Sequence, residues 1–274
     1  LQGTATTAGT APTYASGATI EYAGTSAQTV STNEWSLGTT TNNLVVNNAH
    51  GLSLGSGSRT VNNLTLTSGK LAIGANTLTI NGQCFSMTLA NSITGSSSSN
   101  LSIGGTVAFG TFFMDQTRAA TRTLQNFTIN RPQTITLGAS SPLIVSGTFT
   151  LTSGTFSPFA NTVTLTGAGA CFTGAGTLTP GTSTFIYSGT GAQTIHTTTY
   201  NNLTIDGDRG FANITLGSGT ISIAGALSLS YFNVSSIVNT GNTVNFNGVG
   251  AQTIPGTAFT NFFRNLSTAN GSGV

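Results

Sequence analysis

A seven-residue stretch, Asn161-Thr-Val-Thr-Leu-Thr-Gly167, occurs three times along this chain in closely related forms. It is preceded by Asn76-Thr-Leu-Thr-Ile-Asn-Gly82 and followed by Asn242-Thr-Val-Asn-Phe-Asn-Gly248, so the copies lie 85 and 81 residues apart. Other short motifs, such as Gly-x-x-Ala-Gln-Thr, recur around the copies. Self-similarity of this kind predicts stacked repeat units that share one elongated core.

The smallest recurring unit is an apolar–polar–apolar triplet bounded by Gly, Ser or Asn, as in Leu64-Thr-Leu66, Phe149-Thr-Leu151 and Leu203-Thr-Ile205. Alternation with period two predicts a short strand whose apolar side chains face one side. Gly and Asn suit tight corners, which often need a positive φ. The close spacing of the triplets predicts coils of three strands and about 20–24 residues each.

We therefore predict an all-β, right-handed parallel β-solenoid that forms one elongated domain over residues 1–274. The predicted copies are 18–108, 109–184 and 185–262, and 263–274 is expected to begin a truncated fourth copy. Tandem immunoglobulin-like β-sandwich modules with strand exchange are the alternative, because such a module has a similar length and strand number. The short triplets and the lack of a central Trp in each copy favour the solenoid.

The chain is nearly uncharged. Only 4% of its residues are charged, against about 25% in typical soluble domains. Seven basic and five acidic groups give a net charge of +2, which predicts no binding to nucleic acid. No run of 18 apolar residues occurs, so no membrane-spanning helix is predicted. The chain begins at Leu1 without a secretion signal, and we expect a processed segment in an extracellular or cell-surface location.

Candidates for catalysis are sparse, and we predict no enzymatic activity, no cofactor and no metal. Polysaccharide cleavage or calcium binding would need clustered carboxylates. The sole close pair, Asp206 and Asp208, precedes Arg209 and is typical of a polar turn with an Asp–Arg contact. A polysaccharide-degrading β-helix enzyme that uses this pair is an alternative. His50 and His196 are expected at the surface.

Three further features concern the core and the corners. Cys84 and Cys171 follow the repeated stretch in two copies, which predicts equivalent positions about 19 Å apart in the stack and therefore free, buried thiols. The segment 109–122 departs most from the repeat and is predicted to leave the stack as a loop. Asn at the corners, as at Asn63, Asn126 and Asn202, is expected to cap a turn or to stack in Asn ladders.

The surface has two candidate binding features. Trp35, Tyr187 and Tyr200 are candidate glycan contacts if the chain is a carbohydrate-binding module. Thr-x-Thr motifs such as Thr77-Leu-Thr79 and Thr148-Phe-Thr150 are compatible with an ice-binding surface, which needs an unbroken flat ladder of threonines. Interruptions by Ser, Asn and Ala argue against such a ladder, and Thr is also a good strand former that can face water.

The motifs Asn201-Asn-Leu-Thr-Ile205, Leu64-Thr-Leu-Thr-Ser-Gly69 and Gly191-Ala-Gln-Thr-Ile195 resemble those of secreted bacterial repeat proteins. These include adhesin-like surface proteins of Bacteroidota exported by the type IX system and, more loosely, autotransporter passengers and filamentous haemagglutinin-type adhesins. The resemblance covers most of the chain. It implies a right-handed parallel β-helix displayed outside the cell, and it transfers no catalytic residues.

From these observations we predict an extracellular structural or adhesive repeat protein. The expected partner is a second copy of the chain, joined end to end in a filament or surface layer, and a glycan or a host or cell surface is a further possible partner. Neutral faces repel one another little, and the open ends of a solenoid carry unpaired strand edges.

Overall fold

The computed structural model describes residues 1–2, 12–15, 17–35, 40–232, 237–255 and 262–274. Its strands all pair in parallel and form a β-solenoid of about 11 turns. Immunoglobulin-like sandwiches are built from antiparallel strands. The predicted solenoid is therefore confirmed, and the sandwich alternative is wrong.

The described strands are short and follow one another closely. The N-terminal half contains β1 (Thr19–Tyr22), β2 (Gln28–Thr29), β3 (Thr40–Asn47), β4 (Leu52–Ser53), β5 (Arg59–Ser68), β6 (Leu71–Ala72), β7 (Thr77–Ile80), β8 (Cys84–Phe85), β9 (Ile93–Thr94), β10 (Asn100–Ile103), β11 (Thr111–Phe112), a 3-10 turn (Ala120–Arg122), β12 (Thr123–Leu124) and β13 (Asn126–Leu137). The C-terminal half contains β14 (Leu143–Val145), β15 (Phe149–Ser157), β16 (Thr162–Leu165), β17 (Phe172–Thr173), β18 (Thr177–Leu178), β19 (Thr184–Tyr187), β20 (Gln193–Ile195), β21 (Thr199–Tyr200), β22 (Asn202–Asp208), β23 (Ile214–Leu216), β24 (Gly219–Ile223), β25 (Leu227–Phe232), β26 (Ile237–Val238), β27 (Asn242–Phe246) and β28 (Asn265–Thr268).

The strands visit three faces in rotation. Four long strands, β3, β5, β13 and β15, turn a corner, so that their two halves pair with different strands. Face 1 holds the second halves of these strands with β1, β8, β11 and β18, and it continues in β21, β24, β27 and β28. Face 2 holds their first halves with β7, β10 and β17, and it continues in β20, β23 and β26. Face 3 holds β2, β4, β6, β9, β12, β14, β16, β19, β22 and β25.

The core is a column of inward-facing apolar side chains. Burial alternates along strands such as β7 and β16, as the triplets predict. Phenylalanines dominate the middle of the column. The ring of Phe149 stacks between those of Phe127 and Phe172, with centroids 5.2 and 4.6 Å away. Phe172 in turn stacks on Phe185 at 5.9 Å. These inward-facing Phe residues therefore form a continuous aromatic stack.

Asparagine side chains join neighbouring coils at the corners. Asn63 Nδ2 donates to Asn43 Oδ1 at 2.9 Å, and Asn126 Nδ2 donates to Asn100 Oδ1 at 2.8 Å. Asn63, Asn126 and Asn202 each also accept a main-chain N–H from the following coil. The predicted role of these three residues at the corners is confirmed, and the two Asn–Asn pairs form the predicted ladders.

The long sequence repeat does not correspond to whole turns. Its three copies form β7 on face 2, β16 on face 3 and β27 on face 1. Eleven strand segments separate one copy from the next if the corner-turning β13 and β15 are counted twice, whereas three segments complete a turn. Each copy therefore ends two-thirds of the way round a turn, and the next copy begins on another face.

This shift between copies places the two cysteines on different faces. Both thiols are free and buried, as predicted. However, Cys84 lies in β8 on face 1, whereas Cys171 directly precedes β17 on face 2. The prediction that they occupy equivalent positions is wrong, because the repeat places matching residues on different faces. Burial raises the pKa of both thiols, that of Cys171 to about 11.

The predicted loop at 109–122 is shorter than expected. Phe109, Phe112 and Met114 are at most 1% exposed and belong to the core. β11 pairs with β13 inside the stack, and Met114 bridges to Ile93. The loop is limited to residues 116–122, because the apolar part of the segment before it continues the inward-facing column.

Candidate functional site: a threonine ladder on face 2

Face 2 carries an unbroken row of outward hydroxyl residues, one from each of seven successive coils. The row, which we name the threonine ladder, consists of Thr40, Thr60, Thr79, Ser102, Thr128, Thr150 and Thr173, each in register with the next. Parallel strands lie about 4.8 Å apart, so the ladder is about 29 Å long. Residues distant in sequence align in this row, and the predicted interruption of the threonines by serine occurs at one rung, Ser102.

A second polar row runs beside the ladder, two residues earlier in each strand. Thr77, Asn100 and Asn126 are in register, and the Thr148 N–H donates to Asn126 Oδ1 at 3.0 Å. Two residues of a strand span about 6.6 Å, which sets the distance between the rows. The Asn126–Asn100 hydrogen bond fixes the amides of this row. Face 2 thus presents a two-dimensional array of short polar groups.

The ladder hydroxyls are largely free of protein partners. Thr173 Oγ1 donates to Thr150 Oγ1 at a long 3.4 Å. Among the residues that the structure describes, the hydroxyls of Thr60, Thr79 and Thr128 have no hydrogen-bond partner. The ladder side chains from Thr60 to Thr173 are half-buried by their neighbours. β-Branched side chains have restricted χ1, so the threonine rungs are held in a fixed orientation while their hydroxyls stay available.

The corresponding outward positions on the other two faces are irregular. Face 1 carries Glu21 and Phe85, the latter 42% exposed. Face 3 alternates Ile144 and Ile186 with threonines. Within the part of the chain that the structure describes, only face 2 has a run of seven registered hydroxyl rungs, from Thr40 to Thr173, without a charge or a large apolar group in the row. This uniformity makes the ladder the candidate functional site.

The aromatic residues predicted to contact glycans are core residues. Trp35, Tyr187 and Tyr200 are each 0% exposed. The hydroxyls of Tyr187 and Tyr200 hydrogen bond to each other at 2.8 Å, and the Arg59 guanidinium lies 5.9 Å from the Trp35 ring centroid. A fully buried ring has no free face for a sugar. The glycan-contact prediction for these three residues is therefore wrong.

The Asp206–Asp208 pair lies at the end of β22, in register with β25, and the turn begins only at Gly210, so the prediction that the pair itself forms a turn is wrong. Gly207 N–H donates to Asp206 Oδ1, and Gly210 N–H donates to Asp208 Oδ1. The predicted Asp–Arg contact is made to the main chain, since Arg209 Nη2 donates to the carbonyl oxygen of Asp206 at 3.0 Å. The Arg209 side chain itself points inward and is 1% exposed. Both carboxylates thus accept hydrogen bonds from main-chain N–H groups one or two residues further along the chain.

The sequence showed the Gly-x-x-Ala-Gln-Thr motif but not its role, which is to clamp neighbouring coils. Gly189 N–H donates to Gln193 Oε1 at 3.0 Å, and Gln193 Nε2 donates back to the carbonyls of Leu165 and Gly167 in the preceding coil. Gln252 repeats this arrangement with Gly248, Ile223 and Gly225, and Gln28 repeats the first bond with Gly24.

The following coil completes each clamp. Arg209 Nη1 donates to Gln193 Oε1 at 2.7 Å and to the carbonyl two residues before it. Asn48 and Asn270 contact Gln28 and Gln252 in the same way. Burial lowers the pKa of the Arg209 guanidinium. Because no motif links the partner to the Gln along the chain, only the stacked structure reveals this contact.

One ion pair anchors the loop at 116–122. Lys70 Nζ lies 2.7 Å from Asp115 Oδ1. Burial opposes ionisation of Asp115, but hydrogen bonds from Lys70 and Thr117 outweigh it and lower the pKa of the carboxyl to about 2. Thr94 also donates to this carboxylate. The contacts of Asp115 with Lys70 and Thr94 hold the loop against face 3, away from the ladder on face 2.

The two histidines differ in their environment. His50 is exposed, as predicted. His196 is half-buried, with its ring centroid 4.4 Å from that of Phe172, which corrects the prediction of a surface side chain. The ring packs there because the parallel bridge between Gly169 and Gln193 brings the residues three positions further on, Phe172 and His196, side by side. Burial lowers the pKa of His196 from its ordinary value of 6.5.

We expect the melting temperature of the protein to fall as the pH decreases below about 6.5. The unfolded chain then protonates His196 more readily than the folded chain does, so protonation favours unfolding until the pH passes the folded-state pKa. His196→Phe, which keeps an aromatic ring beside Phe172, should flatten this part of the profile. The matched variant His50→Phe should retain the slope, and an unchanged profile in His196→Phe would contradict the assignment. Thermal unfolding followed by circular dichroism measures the effect.

Comparisons with protein-family models, curated proteins and solved structures find no match to this chain. The resemblance to secreted bacterial repeat proteins therefore stays a prediction, whereas the β-solenoid stands on the structure. Within the described residues, no helix is long and apolar enough to span a membrane. No group of three or more His, Cys, Asp or Glu residues there is arranged to hold a metal ion.

Proposed function

We propose that this chain is an extracellular structural or adhesive repeat protein that holds face 2 against an extended surface. The threonine ladder is the observation that carries this proposal. A row of seven evenly spaced rungs can make a similar contact seven times with a periodic or flat partner. Individually weak contacts of this kind add up when they are presented together.

The interior supports such a role because its polar groups fasten one coil to the next. The glutamine clamps and the Asn ladders bond to adjacent coils rather than to an internal cavity. A stack fastened at several corners resists bending, and a stiff ladder loses little conformational freedom on binding. The low charge of the chain, 4%, also limits repulsion from neutral surfaces.

We expect Thr128→Lys to lower retention on the bound surface by at least about tenfold, because a long charged side chain in the middle of the ladder must be desolvated on contact. Thr204→Lys is the matched control, since Thr204 occupies an outward position on face 3. Retention is measured by sedimentation with crystalline chitin, crystalline cellulose and finely divided ice. Equal retention of both variants, or no retention of the wild-type chain on any solid, would overturn the proposal.

A second candidate activity, end-to-end association, rests on the outer edge of face 1. β28 pairs with β27 on one side, and its four residues are exposed. Leu266 lies in register with the buried Val244 yet is 47% exposed. A further coil placed on this edge would bury Leu266 and satisfy the strand's free main-chain groups.

Association through this edge predicts a concentration-dependent increase in sedimentation coefficient. Leu266→Lys places a charge where the added coil would pack, and it should abolish the increase. Ser267→Lys, which lies next in the strand and on its opposite side, should leave the increase intact. Sedimentation velocity of the 274-residue chain tests this, and a monomer at all concentrations would show that the edge does not mediate self-association.

A further inference from the structure

We propose that the surface bound by face 2 is ice, and that the threonine ladder adsorbs to the ordered water of a growing crystal. This inference rests on the proposed adhesive function of face 2 and names its ligand. Ice binding requires a particular spacing of surface groups and side chains of a particular chemistry. The spacing and the side chains of the threonine ladder can be compared with both requirements.

The first requirement is that the spacing of the rungs resembles the spacing of oxygen atoms in ice. Main-chain hydrogen bonds fix the distance between coils at about 4.8 Å, so the rungs cannot drift relative to one another. Rows of oxygen atoms in hexagonal ice repeat at an interval close to this strand spacing. Neighbouring rungs in register can therefore contact successive oxygen atoms of one lattice row. The second row, with Thr77, Asn100 and Asn126, extends the array of polar groups into a second dimension.

The second requirement is that each rung can hydrogen bond to lattice water without holding a hydration shell of its own. A threonine hydroxyl is both a donor and an acceptor, as a lattice water is. The hydroxyls of Thr60, Thr79 and Thr128 bond to no protein group within the described chain, so they are available to lattice waters. The neighbouring methyl group cannot hydrogen bond and orders the water beside it. A charged group would instead hold its own hydration shell, and none occurs in this row from Thr40 to Thr173.

Crystalline polysaccharide fits face 2 less well. Sugar rings are bound by exposed aromatic faces, whereas the phenylalanines beneath the ladder, Phe127, Phe149 and Phe172, are buried. The more exposed rings, Phe85, Phe159 and Phe211, lie outside the ladder. Face 2 therefore offers repeated small groups in place of a stacking platform, which favours ice over a glycan crystal.

The test is the partition of purified protein into slowly grown ice, together with inhibition of ice recrystallisation. We expect the wild-type chain to enter the ice and Thr128→Lys to be excluded, with its ice-bound fraction reduced by at least about tenfold. Thr204→Lys should partition like the wild type. Melting curves of both variants establish that they are folded, so exclusion from ice cannot be attributed to unfolding.

A variant with an expected gain of activity complements the loss-of-activity variant. Ser102→Thr places a threonine at the serine rung and should raise inhibition of recrystallisation by up to about fourfold, the gain expected for one added methyl group. The ice assignment is overturned if the wild-type chain is excluded from ice. It is also overturned if Ser102→Thr changes nothing and Thr128→Lys keeps its activity. Retention on chitin or cellulose that Thr128→Lys abolishes would overturn ice while leaving the adhesive role of face 2 intact.

Discussion

Replacing Phe149 with Ala is expected to lower the free energy of unfolding by about 3–5 kcal/mol. Phe149 is 0% exposed and its ring lies in the middle of the aromatic stack, between those of Phe127 and Phe172. Truncation removes contacts on both ring faces and leaves a cavity. The coils on either side are held in position by main-chain pairing and cannot collapse into that cavity without breaking register.

The matched control is Phe159→Ala. The Phe159 side chain is 59% exposed on a corner, and its φ of 62° is unfavourable for both Phe and Ala. We expect a change within about 0.5 kcal/mol. Chemical denaturation measures both variants, and hydrogen exchange of the coils around Phe149 adds a local readout, because long repeat stacks need not unfold in one step. Similar losses in the two variants would contradict a stabilising role of the aromatic stack.

Replacing Gln193 with Ala is the second change with a large expected effect. It breaks the bonds from Gln193 Nε2 to Leu165 and Gly167, leaves Gly189 N–H without its acceptor and removes one of the three acceptors of Arg209 Nη1. Each unsatisfied buried polar group costs about 1–3 kcal/mol. We therefore expect a total loss of about 3 kcal/mol or more, which is larger than the effect of most single substitutions.

Gln125→Ala is the control for this change, because Gln125 is an exposed glutamine near a corner. It should alter the unfolding free energy by at most about 0.5 kcal/mol. Hydrogen exchange should show loss of protection in the coils on both sides of Gln193, since the clamp joins three successive coils. A loss confined to the coil of Gln193 itself would show that the side chain does not connect its neighbours.

Local features of the fold could be predicted from the sequence. The triplets Leu64-Thr-Leu66 and Phe149-Thr-Leu151 both form strands with the outer two residues buried. The corner role of Asn63 and the free, buried state of Cys84 were also predictable. These features depend on residues within a few positions of one another and on the two-residue period of a strand.

Two predictions failed, one about the direction of a side chain on a single strand and one about the alignment of different coils. Tyr187 was expected to be exposed, but its place in the triplet Phe185-Ile-Tyr187 points it inward, where it meets Tyr200. Cys84 and Cys171 were expected in equivalent positions, but the repeat ends partway round a turn. The inward direction of Tyr187 follows from the two-residue period of its own strand. The faces of the two cysteines depend instead on the number of residues in several strands and corners, which no single motif specifies.

The sequence by itself determined that this chain forms short strands, that Gly and Asn separate them and that the strands stack into a solenoid, because period-two alternation and corner residues act locally. Only the tertiary structure decided which face each strand occupies. Small differences in strand and corner length accumulate along the chain and set the register between coils. Thr79 and Thr128 are 49 residues apart in the chain, yet they lie two rungs apart in the threonine ladder. The ladder exists because register, rather than any local motif, brings such residues into one row.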